Sequence, residues 1–165
     1  YTNTREYVFN GFLFSTEFAR RCAASGINIG NAVETPDATD AWQMNVQILA
    51  LCNEQRQNNG LEKLMTREDL VAQVRAGEIV NYFSHTRPNG SNCFSLYDEA
   101  GLDYRAAGEN IAAGYYGASA VVDGWMNSTG HRANILSESY DYLATGYATG
   151  GAYGTNYCQN FLGDW

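Results

Sequence analysis

Only two of the 165 residues are histidines, and each sits where a chemical role would be easy to supply. His85 follows Tyr82-Phe83-Ser84, and His131 follows Asn127-Ser128-Thr129-Gly130. Both fall just past an expected helix end, where the carbonyl end of the helix dipole favours imidazolium by about 0.3–1 kcal/mol. Between them in sequence stands Glu109, flanked by Gly108 and Asn110. Small neighbours let backbone approach closely there, but no packing demand calls for an acid. Two imidazoles and a carboxylate that converged would make an open zinc site, or a general-base site with Glu109 as the base. They would equally make a hydrogen-bonded polar cluster without a metal. Taken singly, each residue also reads as an ordinary group with one hydrogen bond, and spacing alone does not bring the three together.

Four cysteines, at 22, 52, 93 and 158, complete the reactive inventory. No pair has the CxxC spacing of a zinc or redox site. Two structural disulfides in an exported protein fit the count, and so do four buried thiols in a cytosolic one.

The elements that must carry these residues are helical early and extended late. Residues 4–22 read as one helix or two short ones, and 31–40, polar and holding Pro36, read as a linker. Asp40 is a good N-cap for a helix over 41–58, which Asn59-Gly60 would close. A further helix is expected over 66–82, a loop with Pro88 and Asn89-Gly90 over 84–92, and a short helix over 95–100. Residues 108–113 read as a strand, and 119–130 as a helix with Val121, Val122, Trp125 and Met126 on its apolar side. Two strands over 142–149 and 153–162 flank Gly150-Gly151, a strong hairpin signal. This order predicts an α+β fold with an antiparallel sheet.

Composition narrows the partners. The net charge of −8 opposes phosphate backbones and anionic headgroups, so no nucleic acid partner and no membrane-surface role are expected. No run approaches the roughly 18 apolar residues of a transmembrane helix. The chain opens at Tyr1 without a leader and looks like a fragment excised from a longer protein. Charged residues are only 17%, while tyrosines number 12, so polarity rests on Tyr, Asn, Ser, Thr and Gly. Tyr115, Tyr116, Tyr140, Tyr142, Tyr147, Tyr153 and Tyr157 read as half-exposed sheet and loop residues, or as a surface for sugar or peptide.

Several motifs in fixed order carry a resemblance. They are Leu51-Cys52-Asn53-Glu54-Gln55-Arg56, Tyr82-Phe83-Ser84-His85, Gly108-Glu109-Asn110-Ile111-Ala112, the run from Trp125 through His131 to Leu136, and Tyr157-Cys158-Gln159-Asn160-Phe161. The chain from about 41 to 165 resembles the bacterial branch of the CAP superfamily, the cysteine-rich secretory, antigen 5 and pathogenesis-related 1 proteins. The resemblance implies an α–β–α sandwich with a small antiparallel sheet between helical layers, a secreted or cell-surface location, and a cleft lined by two His and two acids. His85, Glu109 and His131 match three of those four. The second acid would lie three residues after the Trp, where this chain has Ser128. His85, Glu109, His131 and Ser128 are therefore the expected cleft residues, with the first three as the candidate metal ligands. Zinc is the candidate ion, though no cofactor is required. Residues 1–40, outside that match, resemble the tail of a helical repeat of exported bacterial proteins and are expected to form an extension of the 41–165 domain.

An exported chain suits disulfides, and Cys22–Cys52 with Cys93–Cys158 is the pairing chosen among the three available. The first would clamp the extension to the domain, and the second would tie the loop after His85 to the last strand. The leading expectation is a non-catalytic module that binds a wall, host, lipid or other extracellular ligand. The alternatives are a zinc-assisted hydrolase or peptidase using His85, Glu109 and His131, and a carrier of sterols or fatty acids.

Overall fold

The structure, a computed structural model, describes residues 38–67 and 71–165. The expected N-terminal helices, most of the linker and Cys22 lie outside the described residues. Helix α1 (Ala38–Asn58) begins before the expected cap, so Asp40 lies in its first turn, where a carboxylate still suits the positive end of the dipole. Helix α2 (Ala72–Ile79) is shorter than the expected 66–82. Met65 pairs with the sheet instead: its N–H donates to the Asp141 carbonyl at 2.9 Å and its carbonyl accepts from Leu143 at 2.8 Å. Helix α3 (Ser95–Glu99) and strand β1 (Ala106–Ala113) follow much as expected.

The helix expected to end at Gly130 is two helices, α4 (Ala118–Met126) and α5 (Thr129–Ile135). Ser128 separates them in an extended conformation, φ −104° and ψ 122°. His131 accordingly lies in the first turn of α5 rather than past a helix end, which reverses the sign of the dipole it meets. Strands β2 (Tyr142–Thr149) and β3 (Thr155–Gly163) form the expected hairpin, with Gly150 at φ +114° and Gly151 at φ +67° in the turn.

The sheet has the order β1-β3-β2 and is antiparallel throughout. The central strand β3 is buried along its whole length, so both of its faces are covered. On one face Ile48 of α1, Val121 and Trp125 of α4 and Ile135 of α5 pack with Tyr157 and Phe161. On the other, Val74, Ala76 and Ile79 of α2 and Leu96 and Tyr97 of α3 pack with Cys158 and Leu162. Alternation along β3 feeds the two layers in turn, which is the expected α–β–α sandwich.

The expected Cys93–Cys158 disulfide is not formed. Cys52, Cys93 and Cys158 are buried free thiols. Each sulfur is already engaged. Cys158 Sγ lies 3.7 Å from both Glu109 Oε2 and Asn160 Oδ1, and Cys93 Sγ lies 3.5 Å from Asn92 Oδ1. Cys52 Sγ accepts from Gln159 Nε2 at 3.0 Å. The partner once expected for Cys52, Cys22, is outside the described residues.

Packing between α2 and β2 is close enough to be tested by one methyl group. A Cβ on Gly146 would lie 2.1 Å from the Ala72 carbonyl oxygen, and main chain cannot move aside cheaply. Gly146→Ala is expected to destabilise the domain by about 1–3 kcal/mol, read as a lower urea midpoint at unchanged slope.

Candidate functional site

Glu109 and Asn110 are consecutive in β1, so their side chains leave on opposite faces of the sheet. On the α2 face the Glu109 side chain is 1% exposed and the Arg75 side chain is 0% exposed. Arg75 grips the carboxylate with two nitrogens: Nε donates to Oε2 at 2.7 Å and Nη2 to Oε1 at 3.1 Å. The same guanidinium donates through Nη1 to Glu78 Oε2 at 2.6 Å and through Nη2 to the Ser84 carbonyl at 2.7 Å. Glu78 in turn accepts from Arg87 Nη2 at 2.8 Å, and Arg87 Nη1 donates to Glu99 at 2.6 Å and to Ser95 Oγ at 2.9 Å. Charges thus alternate along Glu109, Arg75, Glu78, Arg87 and Glu99.

His85 completes the site from the loop after α2. Its Nδ1 is 2.8 Å from Glu109 Oε1, while 58% of its side chain faces solvent. Burial by itself would push the Glu109 carboxyl up. Hydrogen bonds from His85 and Arg75, with the Arg75 charge, outweigh it and hold the group below its usual value of 4.5. His131 is half-buried, and burial followed by the nearby His85 charge lowers it below its usual value of 6.5. The expected preference for imidazolium at His131 is therefore reversed.

On the other face the amide of Asn110 ties α5 and β3 to β1. Its Nδ2 donates to the His131 carbonyl at 3.1 Å and to Gln159 Oε1 at 2.9 Å, and its Oδ1 accepts from Asn134 Nδ2 at 2.8 Å. Ser128 occupies the N-cap of α5 without a side-chain capping bond. Arg56 reaches the carbonyls of Glu62, Ile135 and Ser137 at 2.7–2.9 Å.

Among the described residues, the ligand atoms that gather within 4.8 Å of one another belong to His85, Cys93 and Glu109. His131 is not in that group, and Cys93, which was not among the expected ligands, is. Arg75 was not anticipated, although its sequence held a signal. Val71, Val74, Arg75 and Ile79 share one helical face, so an arginine stands in an apolar stripe and needs a buried acid. Asn110, Asn134 and Gln159 gave no comparable signal.

Residues 49–161 match the model of the cysteine-rich secretory protein family, CAP. The chain belongs to this family. It is 34% identical over 149 residues to the uncharacterized protein YkwD of Bacillus subtilis, covering 88% of this chain and 56% of the relative. It is 36% identical over 124 residues to the uncharacterized membrane protein YlbC of the same organism, covering 72% and 34%. The CAP chain described here thus spans about half, or less, of the length of these curated relatives. Among solved structures it resembles an extracellular protein of Bacillus anthracis containing an SCP domain, with TM-score 0.69 and 31% identity over 81% of this chain and 45% of that one. An outer surface protein of Borrelia burgdorferi shares the CAP fold at TM-score 0.65 and 16% identity, covering 80% and 98%.

Breaking the buried pair from the cationic side leaves Glu109 and Glu78 facing each other without it. Arg75→Met is expected to cost about 3–5 kcal/mol of unfolding free energy. The pH dependence has a fixed sign. A carboxyl held below 4.5 in the folded state contributes its full stability above pH 4.5 and loses it as pH falls toward the folded value. Glu109→Gln is expected to lower the plateau and flatten the loss below pH 4.5, read from urea midpoints over a pH series.

Proposed function

We propose that this domain is a non-catalytic ligand-binding module of an exported protein, which presents the polar surface around His85, Glu109 and His131 to an extracellular wall, lipid or host ligand. The observation that carries this reading is the state of Glu109. Both of its oxygens already accept nitrogen donors, and its acidity is shifted away from neutrality. A general base for water needs a free oxygen and a pKa nearer the working pH. Glu109 has the features of an anchor instead. The extracellular description of the Bacillus anthracis protein and the surface location of the Borrelia protein support the exported setting. Among the described residues no helix is long and apolar enough to cross a membrane.

Zinc fits this site only in part. His85 Nδ1 is turned onto Glu109, which leaves its Nε2 toward solvent, and the lowered His131 keeps a lone pair to offer near neutrality. These two imidazoles would hold the ion, with Glu109 orienting His85 from behind. Bound zinc would supply a Lewis acid and an acidified water. With its oxygens committed to Arg75 and His85, Glu109 is poorly placed to act on that water.

Peptide and ester hydrolysis, assayed with and without added zinc, is expected to stay at the buffer rate. The double variant His85→Ala, His131→Ala is expected to stay folded, with a melting temperature lowered by the loss of the His85 hydrogen bond to Glu109. Zinc-dependent turnover that disappears in Glu109→Gln would overturn the non-catalytic reading.

A further inference from the structure

The loop between α2 and α3 brings a thiol beside His85 and Glu109. Thr86 and Asn92 form an antiparallel bridge, and the Cys93 N–H donates to the His85 carbonyl at 3.1 Å. Arg87 N–H closes the loop on the Ser91 carbonyl at 2.8 Å, and its buried side chain is pinned to Glu78 and Glu99. His85 and Cys93 therefore leave adjacent positions of one short ladder, both directed at the Glu109 edge of β1. Their ligand atoms and the carboxylate lie within 4.8 Å of one another. Cys93 and Glu109 are buried while His85 is exposed, so the group has two fixed donors inside and one at its mouth.

We propose that His85, Cys93 and Glu109 form a binding site for one thiophilic divalent cation, such as zinc, cobalt or cadmium, separate from any site made by His85 with His131. A nitrogen, a sulfur and a carboxylate oxygen are a suitable three-ligand set for a tetrahedral ion whose fourth position stays open to water. The charge count favours it. Glu109, Glu78 and Glu99 against Arg75 and Arg87 leave one excess negative charge, and a Cys93 thiolate makes two, which a divalent ion balances.

The exchange conserves charge and protons. The Cys93 S–H bond breaks, the sulfur–metal bond forms, and one proton leaves to solvent. The His85 proton moves from Nδ1 to Nε2, freeing Nδ1 for the metal at no net proton cost. Glu109 Oε1 then binds the metal in place of the His85 N–H and the longer Arg75 Nη2 bond, while Arg75 Nε keeps Oε2.

This inference does not rest on the ligand-binding reading, and the two fail separately. Cobalt titration of the full 165-residue chain, with absorbance read in the near ultraviolet and visible, is the test. One equivalent is expected to give a thiolate-to-cobalt charge-transfer band with tetrahedral visible bands. Cys93→Ser is expected to abolish the charge-transfer band, and His85→Ala to weaken binding at least tenfold. X-ray absorption of the zinc-loaded wild type, which needs no variant to fold, is expected to show one sulfur at about 2.3 Å. A shell of nitrogen and oxygen alone overturns the site. So does a wild type without the charge-transfer band, or a band that survives Cys93→Ser.

Discussion

A guanidinium with no exposed surface must find an oxygen for its N–H groups inside the protein, or the fold does not close around it. Arg75 finds them on three separate pieces of chain: Glu78 one helical turn away, the Ser84 carbonyl in the following loop, and Glu109 on β1. Taking either member of such a pair out of water costs several kcal/mol, and only close, fully bonded geometry offsets it. The consequence is positional rather than energetic. Helix α2, the His85 loop and the edge strand are held at one relative placement because any other leaves a charge buried and alone. His85 meets Glu109 at that placement with the rest of its ring in water. The candidate site is thus the exposed end of a buried ion network.

The other half of the sandwich is fixed by neutral groups. Asn110, one residue on from Glu109, bonds α5 through Asn134 and the His131 carbonyl, and bonds β3 through Gln159. Gln159 passes the chain on to Cys52 in α1. A dipeptide on one edge strand therefore locks both helical layers to the sheet, with a charged group on one side and an amide on the other. The glycine before it has a matching reason. A Cβ on Gly108 would lie 2.5 Å from the Tyr140 hydroxyl, which donates to the Ala107 carbonyl. Asn134 Nδ2 also approaches the Glu109 carbonyl at 3.4 Å, so part of the exposed edge of β1 is capped by a side chain.

Much of this was legible in the sequence because it depends on local signals. The β2–β3 hairpin follows from two alternating runs around Gly150-Gly151, and the body of α1 from its length and its glycine exit. The motif order carried the family, the fold and the candidates His85, Glu109 and His131. What the sequence hid depends on contacts between distant segments. Helix α2 spans only Ala72–Ile79 of the 66–82 that local periodicity suggests, and Met65, just before that span, pairs with β2. Ser128 in an extended conformation split one expected helix into two, which moved His131 from a carbonyl end to an amide end. Arg75 was legible in principle, as a charge on an apolar helical face, but its partner is 34 residues away in sequence.

The free thiols follow from the same electrostatics that placed Arg75. A buried carboxylate is stabilised by every donor that reaches it, and the Cys158 thiol is one of those donors, 3.7 Å from Oε2. Burial, and after it the negative Glu109, push the Cys158 and Cys93 thiols up, Cys93 to about 12, so both stay protonated at neutral pH. Thiolate, not thiol, is the species that attacks a disulfide or an oxidant, so these sulfurs are slow partners for exchange. Joining them would also leave the carboxylate with one donor fewer in a region closed to water. A cysteine pair that looks like a staple in an exported sequence is here part of the solvation shell of an acid.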